Sequence, residues 1–169
     1  MGEELKFTDK QDLEKFLDHF PANGDRDLQI LKGHLLVEEW LQDILHLQLC
    51  YPNALTGPKG AKIECHQLIC LVEAITPHSQ GMPWVWVAAK KLNTLRNDLA
   101  HNLTSQSLED RVSDFVNYVR ENGGEPESFG SEFEIWQENK FVGAMIAMCA
   151  AMASLKNVLR TVIGSIRET

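Results

Sequence analysis

The chain lacks a surplus of positive charge: 16 Lys and Arg stand against 24 Asp and Glu, for a formal net charge of -8. Phosphate neutralisation supplies most non-specific affinity for duplex nucleic acid, so a broad basic binding face is excluded and any nucleic-acid contact must be local. Close cysteine pairs are also missing. Cys50, Cys65, Cys70 and Cys149 show neither zinc-ribbon spacing nor a disulfide framework, and their apolar contexts predict buried thiols. The start, Met1-Gly2-Glu3-Glu4-Leu5-Lys6, has neither a basic region nor an apolar run, so no secretory signal is expected and the expected location is cytoplasmic. The uncharged run from Phe141 to Leu155, bracketed by Lys140 and Lys156, falls short of the roughly 20 residues that span a bilayer. It predicts a buried core helix rather than a membrane segment.

Two further absences narrow the chemistry. Gly57-Pro58-Lys59-Gly60 has neither the spacing nor the Lys-Ser/Thr ending of a phosphate-binding loop. No carboxylate cluster carries metal-ligand spacing, and the histidines His19, His46, His66 and His78 show none either, so neither a metal nor another cofactor is expected.

What the chain has in abundance is helical periodicity, with no convincing strand alternation, which predicts an all-α helical bundle of about six helices. Its 169 residues suit one domain, 1–169, with a proper core. A first helix starts at a Thr8 cap with Asp12 nearby, carries Leu13, Phe16, Leu17 and Phe20 on one side, and stops at Pro21. A second, from about 25 to 50, gains a wide apolar surface from Leu28, Leu31, Leu35, Trp40, Leu41, Ile44, Leu45 and Leu47. A third spans about 61 to 76, and a fourth opens on Pro83 and runs to about 103. A short fifth begins near Ser107 and ends at Asn122-Gly123-Gly124, and an exposed loop from Gly123 to Gly130 follows.

The last and longest helix, from about 131 to 167, repeats Phe141, Met145, Met148, Met152, Leu155, Leu159, Val162 and Ile166 at spacings of four and three. That is a seam for another helix. Gly143, Ala147, Ala150 and Ser154 form a stripe of small residues beside it, and the methionines serve as apolar filler.

The fourth helix carries two registers. Trp84, Ala88, Leu92, Leu95, Leu99 and Leu103 face the core, whereas Lys90, Asn93, Asn97 and His101 stack along another side. Asparagine is a poor helix former, and solvated helix faces more often carry Glu, Lys, Arg or Gln. Polar residues that oppose local preference point to a site. Arg96 lies about 100° from Asn97 around the helix, and His101 about 40°, so Asn97 and His101 share a face that Arg96 must reach around to join. A guanidinium holds phosphate bidentately, an imidazole titrates near working pH, and an amide adds an uncharged donor or acceptor. Arg96, Asn97 and His101 are therefore the candidate catalytic residues, with Lys90 and Asn93 as substrate-binding residues. Asp98, three residues before His101, could orient or charge its imidazole. His34 and Glu38, one turn apart on the second helix, form an auxiliary pair that either faces a cleft or lines a helix interface.

The segment Arg96-Asn97-Asp98-Leu99-Ala100-His101 resembles the Arg-x4-6-His motif of the HEPN superfamily, with Asn97 as the polar residue directly after the arginine. The preceding long helix, with Lys32-Gly33-His34-Leu35-Leu36-Val37-Glu38-Glu39, is similar in type to one in that superfamily. The resemblance implies a helical bundle with the motif near the end of an interior helix, and a homodimer whose two motif helices share a cleft. It implies a metal-independent endoribonuclease of toxin–antitoxin, defence or RNA-processing type, acting on RNA through Arg96, Asn97 and His101. It further implies a protein partner, an antitoxin or a small nucleotidyltransferase. A second resemblance, to the mannitol-operon repressor family, implies a non-catalytic helical regulator that uses the same polar face to bind a nucleotide or a protein.

Overall fold

A computed structural model describes residues 9–55, 60, 62–77, 79–101, 105–123 and 139–167. Six α-helices are described: α1 (Lys10–His19), α2 (Arg26–Gln48), α3 (Cys65–Ile75), α4 (Pro83–Ala100), α5 (Ser105–Gly123) and α6 (Lys140–Arg167). Short 3-10 turns occupy Pro52–Leu55 and Ser79–Gly81, and no strand occurs among the described residues. The fold is all-α, with its longest helix last, as the periodicity predicts.

The helix ends follow local chemistry. Thr8 lies outside the described residues, and Asp9 caps α1 by accepting from the Gln11 amide at 2.8 Å. Asp25 caps α2 by accepting from the Leu28 amide at 2.8 Å. Between them, the buried Gln29 side chain donates to the carbonyls of Pro21 and Ala22 at 3.2 and 3.0 Å, which satisfies a turn that would otherwise leave acceptors unpaired. The Glu64 amide donates to Gln67 Oε1 at 3.2 Å, so α3 begins four residues later than its apolar pattern suggests. Pro83 takes the first position of α4. Ser107 lies inside α5 rather than at its cap, because the helix already begins at Ser105. Asn139 accepts from the amides of Phe141 and Val142 at 3.2 and 3.3 Å and so opens α6. The expected stretches 57–59, 102–104, 124–130 and 131–138 lie outside the described residues.

α6 is the central element. Its residues 144–153 are all buried, and it packs against α1, α2, α4 and α5. The seam is thus filled inside the protomer from Phe141 through Met145, Met148, Met152 and Leu155 to Leu159, as are Ala147 and Ala150 of the small-residue stripe, whereas Val162 is exposed. α6 is long and apolar enough to cross a membrane by length and composition, yet 78% of that window is buried within the protein. α2 runs alongside it in the same sense. The Arg26 guanidinium sits 4.8 Å from the Phe141 ring centroid, and a Cβ on Gly33 would stand 2.7 Å from Met145 Cε, so the Met145 side chain fills the space beside that glycine.

The first half of α2 differs from the sequence expectation. Ile30, Gly33, Val37, Trp40, Leu41 and Ile44 form its core face, whereas Leu28, Leu31 and Leu35 are 39%, 41% and 53% exposed. Trp40, Leu41, Ile44 and Leu45 are buried as expected, but in the first half of the helix Ile30, Gly33 and Val37 turn inward in place of the three leucines. The same rotation buries His34. A second polar lock ties α1 to the core: Asp12 accepts from Lys156, from Trp40 Nε1 at 3.4 Å and from Asn157 Nδ2 at 3.2 Å. The cysteines also depart from expectation. Only Cys149 is buried, Cys65 is half-buried, and Cys50 and Cys70 are exposed.

Candidate functional site

α4 distributes its polar residues over three neighbours. Lys90 Nζ meets Glu73 Oε2 of α3 at 2.7 Å. Asn93 Oδ1 meets His34 Nε2 of α2 at 3.1 Å, with both residues buried. Lys91 pairs with Asp114, and Asp98 Oδ2 lies 2.6 Å from Arg111 Nη1, both on α5. Asn97 and His101 are exposed. The stripe read from the sequence is therefore two structures in one. Its first half crosslinks helices, and its second half faces solvent.

This division accounts for both unfavourable asparagines. A net hydrogen bond is worth about 1 kcal/mol, and a buried partner left unpaired costs about 1–3 kcal/mol, more than the few tenths that asparagine costs a helix. Asn93 is repaid by its buried bond to His34. Asn97 accepts from Arg96 Nη1 at 3.2 Å, so the arginine does reach around the helix within one protomer. Arg96 is itself exposed, and its charge lowers the pKa of both His34 and Cys65 slightly, so the guanidinium lies within electrostatic reach of them.

The His34 ring sits at that corner, with Nδ1 3.8 Å from Glu38 Oε2. Burial pushes its pKa below the ordinary value; the bond to Asn93 and the Glu38 carboxylate oppose this, and Arg96 adds to it. The imidazole is accordingly held neutral. Cys65, at the start of α3, is pushed up to about 11 by burial and by Glu38, against a smaller opposing effect of Arg96. Burial alone raises Cys149.

His34, Glu38 and Asn93 thus gather at one corner with Cys65, which no local spacing connects to them, and the exposed Arg96–Asn97 pair lies further along α4. His101 stands apart. It caps the C-terminus of α4, its amide donating to the carbonyls of Asn97 and Asp98 at 3.1 Å. Among the described residues no hydrogen bond or ion pair joins its side chain to Arg96, Asn97 or Asp98. The orienting role sought for Asp98 meets a competing partner in Arg111. Lys90 borders an open depression of about 310 Å³ between α4 and α5, shared with Lys91, Thr94, Arg111 and Asp114. Its three cations each face an acid: Glu73, Asp114 and Asp98.

Comparisons with protein-family models, with characterised proteins and with solved structures return no match for this chain. Chemically, the exposed end of α4 offers a fixed positive charge carrying spare donors, a neutral amide and a titratable imidazole one turn further on. Those groups can bind an anion and move a proton.

Proposed function

We propose that the protein is an endoribonuclease that needs no metal for cleavage, with Arg96, Asn97 and His101 as its reactive groups. The observation that carries this reading is the Arg96–Asn97 hydrogen bond at the solvent-facing end of α4. It holds a guanidinium beside the helix face that also bears the exposed His101. In the cleavage scheme His101 removes the proton of an RNA 2′-hydroxyl, and the resulting oxyanion attacks the adjacent phosphorus. Arg96 stabilises the charge on the pentacoordinate phosphate, and the bond to the departing 5′-oxygen breaks as that oxygen takes up a proton. A 2′,3′-cyclic phosphate and a 5′-hydroxyl remain.

Arg96 and His101 are about 140° apart around the helix axis, so a homodimer that brings two α4 ends together supplies a complete set. The filled α6 seam leaves another surface for that contact, and the exposed Leu28, Leu31 and Leu35 of α2 are available for it. An antitoxin or a nucleotidyltransferase is the expected protein partner. A second reading, a non-catalytic regulator that binds a nucleotide or protein at this face, is favoured by the net charge of -8 and by the acid partners of Lys90, Lys91 and Arg111.

Incubating purified protein with RNA in the presence of a chelator separates the two. Cleavage leaving cyclic phosphate ends is expected. His101→Ala should slow it about 10²–10⁴-fold and Arg96→Ala about 10²–10³-fold, with melting unchanged because both side chains are exposed. If wild type cleaves no faster than these variants, the enzyme reading fails and the regulator reading replaces it.

A further inference from the structure

The corner between α2, α3 and α4 holds chemistry that RNA cleavage does not use. His34 and Glu38 stand one turn apart on α2, and Cys65 opens α3. One potential ligand atom from each lies within 4.8 Å of the other two. Asn93 settles the state of the imidazole. An amide oxygen only accepts, so His34 Nε2, 3.1 Å away, carries the proton, and Nδ1 of the neutral ring presents a bare lone pair. His34 is only 6% exposed, and that lone pair looks toward Glu38 Oε2 at 3.8 Å, another acceptor. Glu38 is 27% exposed, so a cation can reach this edge from solvent and satisfy both acceptors at once.

We propose that His34, Glu38 and Cys65 bind one divalent cation of the zinc type through Nδ1, a carboxylate oxygen and a thiolate. Nitrogen, oxygen and sulfur together form a zinc donor set, whereas magnesium and calcium take oxygen ligands. Tetrahedral zinc with bonds of about 2.0–2.3 Å separates its ligand atoms by about 3.3–3.7 Å, so side-chain adjustments of about 1 Å close the cluster. Binding releases the Cys65 thiol proton to solvent. Asn93 serves as the outer partner that fixes the tautomer and aims Nδ1 inward. Three protein ligands leave a fourth position for water or an anion. The site stands independently of RNA cleavage, whose scheme involves no metal and is assayed with chelator present.

The test uses the full chain, stripped with chelator and titrated with Co²⁺ and then Zn²⁺. One equivalent of cobalt per chain is expected, with a thiolate-to-cobalt charge-transfer band that zinc abolishes on displacement. Cys65→Ser should remove the band, and Asn93→Ala should weaken zinc binding about 10–100-fold. Cys70→Ser should change nothing, although Cys70 lies 3.7 Å from His66 on α3 and forms the competing exposed pair. Circular dichroism establishes that each variant is folded. No band in wild type overturns the proposal whatever the variants do, as does a band that survives Cys65→Ser or vanishes in Cys70→Ser.

Discussion

Lys156 and Asp12 form an ion pair between α6 and α1, and the two residues are only 6% and 4% exposed. Lys156→Met keeps the aliphatic stem but leaves the Asp12 carboxylate in a desolvated site with only the Trp40 and Asn157 donors. Removing one partner of a buried pair costs about 3–5 kcal/mol. For a chain of this length each kcal/mol lowers the melting temperature by about 2–4 °C, so a fall of about 6–20 °C is expected. Asp12→Leu should cost a similar amount, because it strands the ammonium instead. The double variant Asp12→Leu/Lys156→Met should melt well above either single one, since replacing a whole buried pair by apolar groups is often neutral or stabilising. Thermal melts and urea titrations of the four proteins close a double-mutant cycle, with a coupling of at least about 2 kcal/mol expected. If Lys156→Met lies within about 0.5 kcal/mol of wild type, or the two losses simply add, then the pair does not fasten α1 to the core.

Two further outcomes follow from burial. In metal-free buffer, the folded pKa of His34, lowered by burial and by Arg96 against Asn93 and Glu38, with Cys65 beside it, lies below the unfolded value. The unfolded chain therefore binds the extra proton first, so stability is full above about pH 6.5 and falls as the pH drops below it, by at most about 1.4 kcal/mol per unit. The difference between the wild-type and His34→Gln melting profiles from pH 5 to 7.5 isolates this effect, and parallel profiles would refute it. Leu35→Glu, on the exposed stripe of α2, should shift the stability of the single protomer, read in urea at low protein concentration, by no more than about 0.5 kcal/mol, whereas a loss of several kcal/mol that does not depend on protein concentration would mean that Leu35 belongs to the core.

Some of the site was legible in one dimension. The spacing of Lys90, Asn93, Asn97 and His101 put them on one side of a helix, and the misfit of two asparagines signalled that something there outweighed propensity. What outweighed it differs between the two. Asn93 answers a buried histidine from a helix far away in sequence, while Asn97 answers its own neighbour. Cys65 carried no signal at all, because its partners His34 and Glu38 lie on a different helix and no local spacing connects them. Asp12 looked like part of a helix start, and only the arrival of α6 gives it Lys156.

The sequence by itself determined the helices, their order, the long apolar last helix and the position of the Arg96-to-His101 segment at a helix end. These depend on caps, breakers and periodicity, which act over a few residues. Tertiary structure decided which way each helix is turned. It turned Ile30, Gly33 and Val37 of α2 inward and Leu28, Leu31 and Leu35 outward, filled the α6 seam within the protomer as far as Leu159, and split the α4 stripe into a buried crosslink and an exposed end. Periodicity sets angles around one axis. The direction in which a neighbouring helix lies is set by close packing and by polar groups that must find partners once water is excluded.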